Sequence, residues 1–268
     1  MNLEFYTLFR GINMQDAYIV SALRTPIGKK KGSLSNMHPA DLGAAILSGT
    51  FDRVDLDPGL VEDVIFGCVD TVGPQAGDIA RTCWLAAGLP EHVPGTTVDR
   101  QCGSSQQAVH FASQAIMSGT ADVVIAGGVQ NMNMIPISYA MLAGQALGFD
   151  DPFSGSIGWM KRYGAQEVSQ FNSAQMIAEK WKISRAEMES FAFESHQKAM
   201  RAINAKHFVD EIIPIGDFNT DETPRAETSL EKMASLNPII DGHDITAAIS
   251  SQNADASSAL LMLSLIHI

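Results

Sequence analysis

Cysteine is scarce in this sequence. There are three, Cys68, Cys83 and Cys102, an odd set with no C-x-x-C spacing. That excludes a disulfide scaffold and a cysteine zinc site, and it fits a reducing, cytoplasmic compartment. Basic residues are also in deficit. Eighteen Lys and Arg stand against 30 Asp and Glu, a net charge of −12, which argues against nucleic acid or an anionic membrane as partner. Local basic clusters, "GKKKG" at Gly28–Gly32 and Lys161–Arg162, still leave room for an anionic small ligand. Each also reads as plain solvated charge. No apolar run reaches membrane-spanning length. The opening "MNLEFYTLFRGIN" is broken by Glu4 and Arg10 and lacks the basic region and cleavage site of a signal peptide. Residues 1–13 read as a non-native or disordered extension, because the first strand-like run follows Met14. No motif calls for a metal or a redox cofactor.

What is present is core-forming. Hydrophobic residues make up 46% of the 268 and charged ones 18%, which argues against disorder. Short apolar runs alternate with helical patterns: "AYIVSA", then "HPADLGAAILSGTF", "DVIFGCV", "DIARTCWLAAGLP", "GTTVDR", "GSSQQAVHFASQAIMSG" and "DVVIAGG". This alternation predicts an α/β layered domain. After about Ile135 the pattern changes to amphipathic helices. Ser184 and Glu187 form a capping-box signature at the head of the longest one. "DEIIPI" reads as a short strand, and "DITAAISSQNADASSALLMLS" as a return to the α/β core. The resulting division is a core of 14–136 completed by 244–264, a helical insertion at 137–243, and an abrupt, foreign-looking tail at 265–268.

One cysteine stands out by position. Cys102 lies between a short β run and a helix, followed by the small residues Gly103, Ser104 and Ser105. Helix N-termini carry free N–H groups and partial positive charge, which favour a thiolate. A backbone N–H there also suits an oxyanion. Local chemistry leaves two readings open, a nucleophile or a small buried hydrophobe. His110 lies eight residues on and is too far along the helix to serve as a local base, and His196 reads as structural.

Several segments, taken in order, resemble the thiolase family of acetyl-CoA C-acyltransferases. They are "IVSALRTPIGKKKGSLS", "DVIFGCV", "ARTCWLAAGLP", "TTVDRQCGSSQQAV", "VVIAGGVQNMNMIP", "ISRAEMESFAFESHQKA" and "DETPRAETSLEKMASLNPII" with "DITAAISSQNADASSALLMLS". The resemblance runs from about Ala17 to Ser264. It implies a thiolase-like α-β-α-β-α layered fold, here the N-terminal half with its helical loop domain. It also implies CoA thioesters as substrates and a homodimer or homotetramer. Cys102 then stands where the family's nucleophile takes the acyl group as a thioester. Arg225 stands at a position near the adenine of CoA, and Ala247 and Ser251 at positions flanking the pantetheine.

The sequence departs from the family pattern at several of these places. "TAGNASG" is here "TAAISSQ", Ser169 replaces a loop-domain histidine, and Gln130 replaces a glutamate. These changes point toward longer or bulkier 3-ketoacyl-CoA substrates. The family's "G-H-P", "C-x-G-G-G" and "N-E-A-F" motifs do not occur, and the expectation is an incomplete catalytic set with little turnover by this chain alone. A ketoacyl-synthase-like condensing enzyme and a non-catalytic acyl-CoA or lipid binder are the competing readings. The "RTP-x-G" opening and the long loop domain favour thiolase over the first.

Overall fold

The structure, a computed structural model, describes residues 14–268. The expectation for residues 1–13 lies outside the described residues. The chain forms β1 (Ala17–Arg24), β2 (Gly28–Lys29), α1 (Pro39–Phe51), β3 (Asp63–Gly67), α2 (Ile79–Ala86), β4 (Gly95–Val98), α3 (Ser104–Met117) and β5 (Val123–Asn131). There follow α4 (Tyr139–Leu142), α5 (Ile157–Tyr163), α6 (Gln170–Trp181), α7 (Arg185–Asn204), α8 (Leu230–Ala234) and β6 (Ala254–Ser264). One mixed sheet orders the main strands β1-β6-β5-β3-β4, with β2 also on β6. β3 runs parallel to β4 and β5, while β6 is antiparallel to both β1 and β5. The last strand of the chain therefore inserts between the first and the fifth. That closes the core across the helical insertion.

Period-2 alternation decides which residues face which layer. Val64, Phe66, Ile125, Leu261 and Leu263 point to one face, where α1 and α2 bring Leu42, Ile46 and Trp84. Ile65, Val124, Ala126 and Met262 point to the other, against Ala108, Ala112 and Ile116 of α3. The three α3 residues are spaced by four and so form one stripe. Two of them are alanine, which lets the helix lie close to the sheet. The layers are thus α1 and α2, then the sheet, then α3.

The insertion is tied back by polar groups. Asp221 pairs with Arg24 through both oxygens and accepts from the Ile27 N–H at 2.8 Å. Glu222 accepts from the Lys29 N–H and the Ser33 hydroxyl. "DEIIPI" is not a strand: it makes an isolated bridge, Arg24 to Ile212, with the Ile213 N–H donating to the Arg24 carbonyl. Pro214 follows, has no N–H to offer, and ends the pairing.

At the head of α7, the capping box joins Ser184 and Glu187 reciprocally. Ser184→Ala is expected to lower unfolding free energy by about 1 kcal/mol, checked by urea titration followed by circular dichroism.

Candidate active site

The strand-to-helix turn after β4 presents Cys102. Gln101 adopts a left-handed backbone (φ 50°), held by its N–H donating to Asp99 Oδ1 at 2.9 Å. The Ser104 hydroxyl donates to the Gln101 carbonyl at 2.6 Å and accepts from the Arg100 N–H at 2.8 Å. These bonds close a tight turn that sets Cys102 just ahead of α3. The Arg100 guanidinium also bonds Gln107 one turn into the helix.

Glycines make the approach feasible. A Cβ on Gly67, at the end of β3, would lie 2.7 Å from Ser105 Cα and closer still to the Ser105 nitrogen. A Cβ on Gly128, in β5, would overlap the Ser105 hydroxyl and lie 2.5 Å from the Gly67 carbonyl. The first turn of α3 therefore rests on two bare strand positions.

Cys102 is exposed, while Cys68 and Cys83 are buried. Cys102 opens into a cleft of about 450 Å³ at the ends of β3 and β5, with Cys68, Met132, Ile137, Ser251 and Ser257 among its walls. Burial pushes the Cys68 thiol up to about 12, so it stands there as a neutral thiol. Its S–H donates weakly toward the Val69 carbonyl and Gln130 Oε1. Burial likewise raises Cys83. Among the described residues no histidine lines this cleft.

Of the other residues expected at the site, Ser251 shares the cleft with Cys102. Arg225 and Ala247 line a neighbouring cavity of about 610 Å³. A third cavity, of about 770 Å³, contains both Ser251 and the His196, Ser250 and Gln252 that belong to the Arg225 cavity. The segment 247–252 is therefore a common wall running from Arg225 to the Cys102 cleft.

His196, expected to be structural, lies in the Arg225 cavity. Its Nδ1 accepts the Arg225 backbone N–H at 3.2 Å, so the proton of the neutral ring sits on Nε2. Sequence gave no sign of this, because the partners are 29 residues apart. Partial burial, then the nearby Arg225 charge, lower the His196 pKa from 6.5. The folded state resists protonation more than the unfolded chain. The resulting stability is fully present above the ordinary histidine value and is lost as pH falls through the lowered folded one. The melting temperature is expected to fall between pH 7 and pH 5 with a slope that His196→Gln reduces.

The site is a layered α/β domain with one accessible thiol on a braced turn at the head of its central helix. Residues 17–265 match the family described as "Thiolase, N-terminal domain". The chain belongs to the thiolase family. It is 56% identical over 259 residues to the "Steroid 3-ketoacyl-CoA thiolase FadA6" of Mycobacterium tuberculosis, covering 95% of this chain and 63% of that one. It is 38% identical to a "3-ketoacyl-CoA thiolase" of Aliivibrio salmonicida, covering 94% and 65% respectively. The crystal structure of the Bacillus anthracis acetyl-CoA acetyltransferase superposes with a TM-score of 0.78 at 30% identity, over 95% of this chain and 67% of that one. The chain thus spans a little under two thirds of the length of these two curated relatives.

Proposed function

We propose that this chain is the acyl-carrying, CoA-binding portion of a thiolase-type acyltransferase. The observation that carries the reading is that the exposed thiol, Cys102, shares its cleft with Ser251, on the same wall that leads to Arg225. A CoA thioester laid along that wall would place its nucleotide near Arg225 and its carbonyl at the sulfur. The Cys102 thiolate attacks the thioester carbonyl, the acyl–sulfur bond to the departing thiol breaks, and the acyl group is held on Cys102. The Cys102 backbone N–H serves as one oxyanion donor. In thiolysis the same attack falls on the 3-keto carbonyl of a 3-ketoacyl-CoA. The bond to the α-carbon breaks, that carbon takes a proton, and acetyl-CoA leaves. Free CoA thiol then collects the acyl group, and the reverse sequence is condensation.

The substrates are CoA thioesters, with no metal or redox cofactor. The likeness to a protein named as a steroid 3-ketoacyl-CoA thiolase, with Gln130 in place of an acidic residue, supports a bulky acyl group over acetyl alone. The proton-transfer groups are not among the residues lining the Cys102 cleft. Self-association as a homodimer or homotetramer, away from membrane and nucleic acid, and a cytoplasmic location complete the reading. No described helix is long and apolar enough to cross a membrane.

The test is protection of the thiol. Added desulfo-CoA, which has no thiol to consume the reagent, should slow alkylation of Cys102 by N-ethylmaleimide, with peptide mapping as readout. Arg225→Ala should raise the desulfo-CoA concentration required by roughly tenfold, the loss of about one charge-assisted phosphate contact. Alkylation indifferent to desulfo-CoA would refute the binding path.

A further inference from the structure

Asp70 is a buried carboxylate, 2% exposed, that no part of the acyl-transfer chemistry uses. It follows Cys68 and Val69, both walls of the Cys102 cleft. Among the described residues it forms no ion pair with any cation. Its two oxygens instead each accept one backbone N–H from the start of the helical insertion. Oδ2 takes Ser138 and Oδ1 takes Ala140, both at 2.8 Å. Both ends of the clasp have unusual backbone. Asp70 has φ 55° and Ser138 φ 69°, a region that non-glycine residues enter at a cost and that tends to persist where surrounding contacts enforce it.

The clasp is itself held. Buried Gln75 donates to the carbonyls of Val69 and Asp70 at 3.2 and 3.0 Å. Its own oxygen accepts the Asn131 N–H and the Gln130 amide. Gln130 accepts the Val69 N–H at 3.0 Å. The loop after β3 is thus pinned to the end of β5, and Asp70 is aimed at 138–140 from a rigid base.

What it holds is a partition. Ile137 faces the Cys102 cleft. The next residue, Ser138, with Met141 and Leu142, lines a separate cavity of about 560 Å³. Phe153 and Trp159 form the aromatic side of that cavity, with ring centroids 4.5 Å apart. One stretch of backbone, fixed by one carboxylate, therefore separates the sulfur's cleft from an aromatic chamber.

We propose that Asp70 is a positioning residue for acyl selection: by fixing 137–142 as the wall between the Cys102 cleft and the aromatic cavity, it sets how large an acyl group reaches the sulfur. In naming an acyl group, this rests on the acyltransferase reading above, but the wall can be tested without turnover. The variants are Asp70→Asn, which is nearly isosteric and tolerates the left-handed backbone, and Asp70→Gly, which suits that backbone and removes both acceptors.

Two readouts are taken on the 268-residue chain. One is hydrogen exchange at the Ser138 and Ala140 amides. The other is the rate of Cys102 modification by N-ethylmaleimide and by N-pyrenylmaleimide, which share a reactive group and differ in bulk. In Asp70→Gly exchange at both amides is expected to accelerate roughly tenfold or more, as for loss of a hydrogen bond to a charged acceptor, and in Asp70→Asn, which keeps one neutral acceptor oxygen, at one of the two at least. The pyrenyl-to-ethyl rate ratio should rise several-fold in both variants. A purely structural role would lower the melting temperature and leave the ratio alone. Unchanged exchange, or faster exchange with an unchanged ratio, overturns the partition while leaving the acyl-carrier reading intact. A Cys102 inert to both reagents in the unaltered protein overturns the two together.

Discussion

Gly67→Ala is expected to cost about 3 kcal/mol or more, at or beyond the top of the usual range for overpacking and a large share of a typical domain's stability. The new methyl would meet backbone, the Ser105 nitrogen and Cα and the Ser104 carbonyl carbon, and no rotamer change relieves a backbone collision. β3 is held on both sides by β4 and β5, so the sheet cannot yield, and α3 must move. Because Cys102 sits on the turn into α3, the thiol moves with it. Chemical denaturation should show the loss of stability. In whatever fraction still folds, the Cys102 alkylation rate should depart from that of the unaltered protein. Gly128→Ala is the companion case, since its Cβ would meet the Ser105 hydroxyl and the Gly67 carbonyl. The two substitutions press on the same turn from adjacent strands and should be non-additive.

Cys102→Ser is expected to abolish acyl transfer, by roughly 10³-fold or more, in protein that folds as before. The side chain is exposed on a turn whose bonds run through Gln101, Ser104 and Arg100, so the exchange of sulfur for oxygen leaves the packing alone. A serine hydroxyl stays protonated at neutral pH where a thiol yields a usable thiolate fraction. Its acyl product is an oxygen ester, from which a thiol is the better leaving group, so return of the acyl group to CoA is unfavourable as well. The melting temperature should stay within about 1–2 °C of the parent, a surface-substitution effect. Steady-state acyl exchange between CoA thioesters in protein containing all the catalytic groups should vanish.

Much of the fold was legible because its signals are local. β5 carries no polar side chain from Val123 to Val129, as a strand covered on both faces should. The helical pattern of α3 and the capping box of Ser184 and Glu187 are each contained in one short stretch of sequence. The turn at Cys102 was legible for a similar reason, since "RQCGSS" holds the thiol and the small residues in one stretch; local chemistry left a nucleophile or a buried hydrophobe open, and the structure shows the side chain exposed. Arg225, Ala247 and Ser251 came only from resemblance. Nothing in their neighbours announces a ligand, and the structure sets Arg225 and Ala247 on one cavity and Ser251 on the Cys102 cleft, with the segment 247–252 between them.

Other features were not legible, and the reason is distance along the chain. Asp70 finds its partners 68 and 70 residues later. Gln130 looks like a simple replacement until Gln75 and Val69 are seen around it. His196 carries the same helical pattern whether it lines a cavity or not. "DEIIPI" has strand composition, but its pairing with β1 is confined to Arg24 and Pro214 has no N–H to continue it, which leaves isolated bridges.

The account turns on one atom, the Cys102 sulfur. The most direct measurement is peptide-mapped mass spectrometry of the protein after incubation with acetyl-CoA, with Cys102→Ser in parallel. The account predicts one acetyl group, removable by neutral hydroxylamine, on the peptide carrying Cys102, and none on the variant. Acetyl on Cys68 or Cys83 instead, or equal labelling of the Cys102→Ser protein, would contradict it.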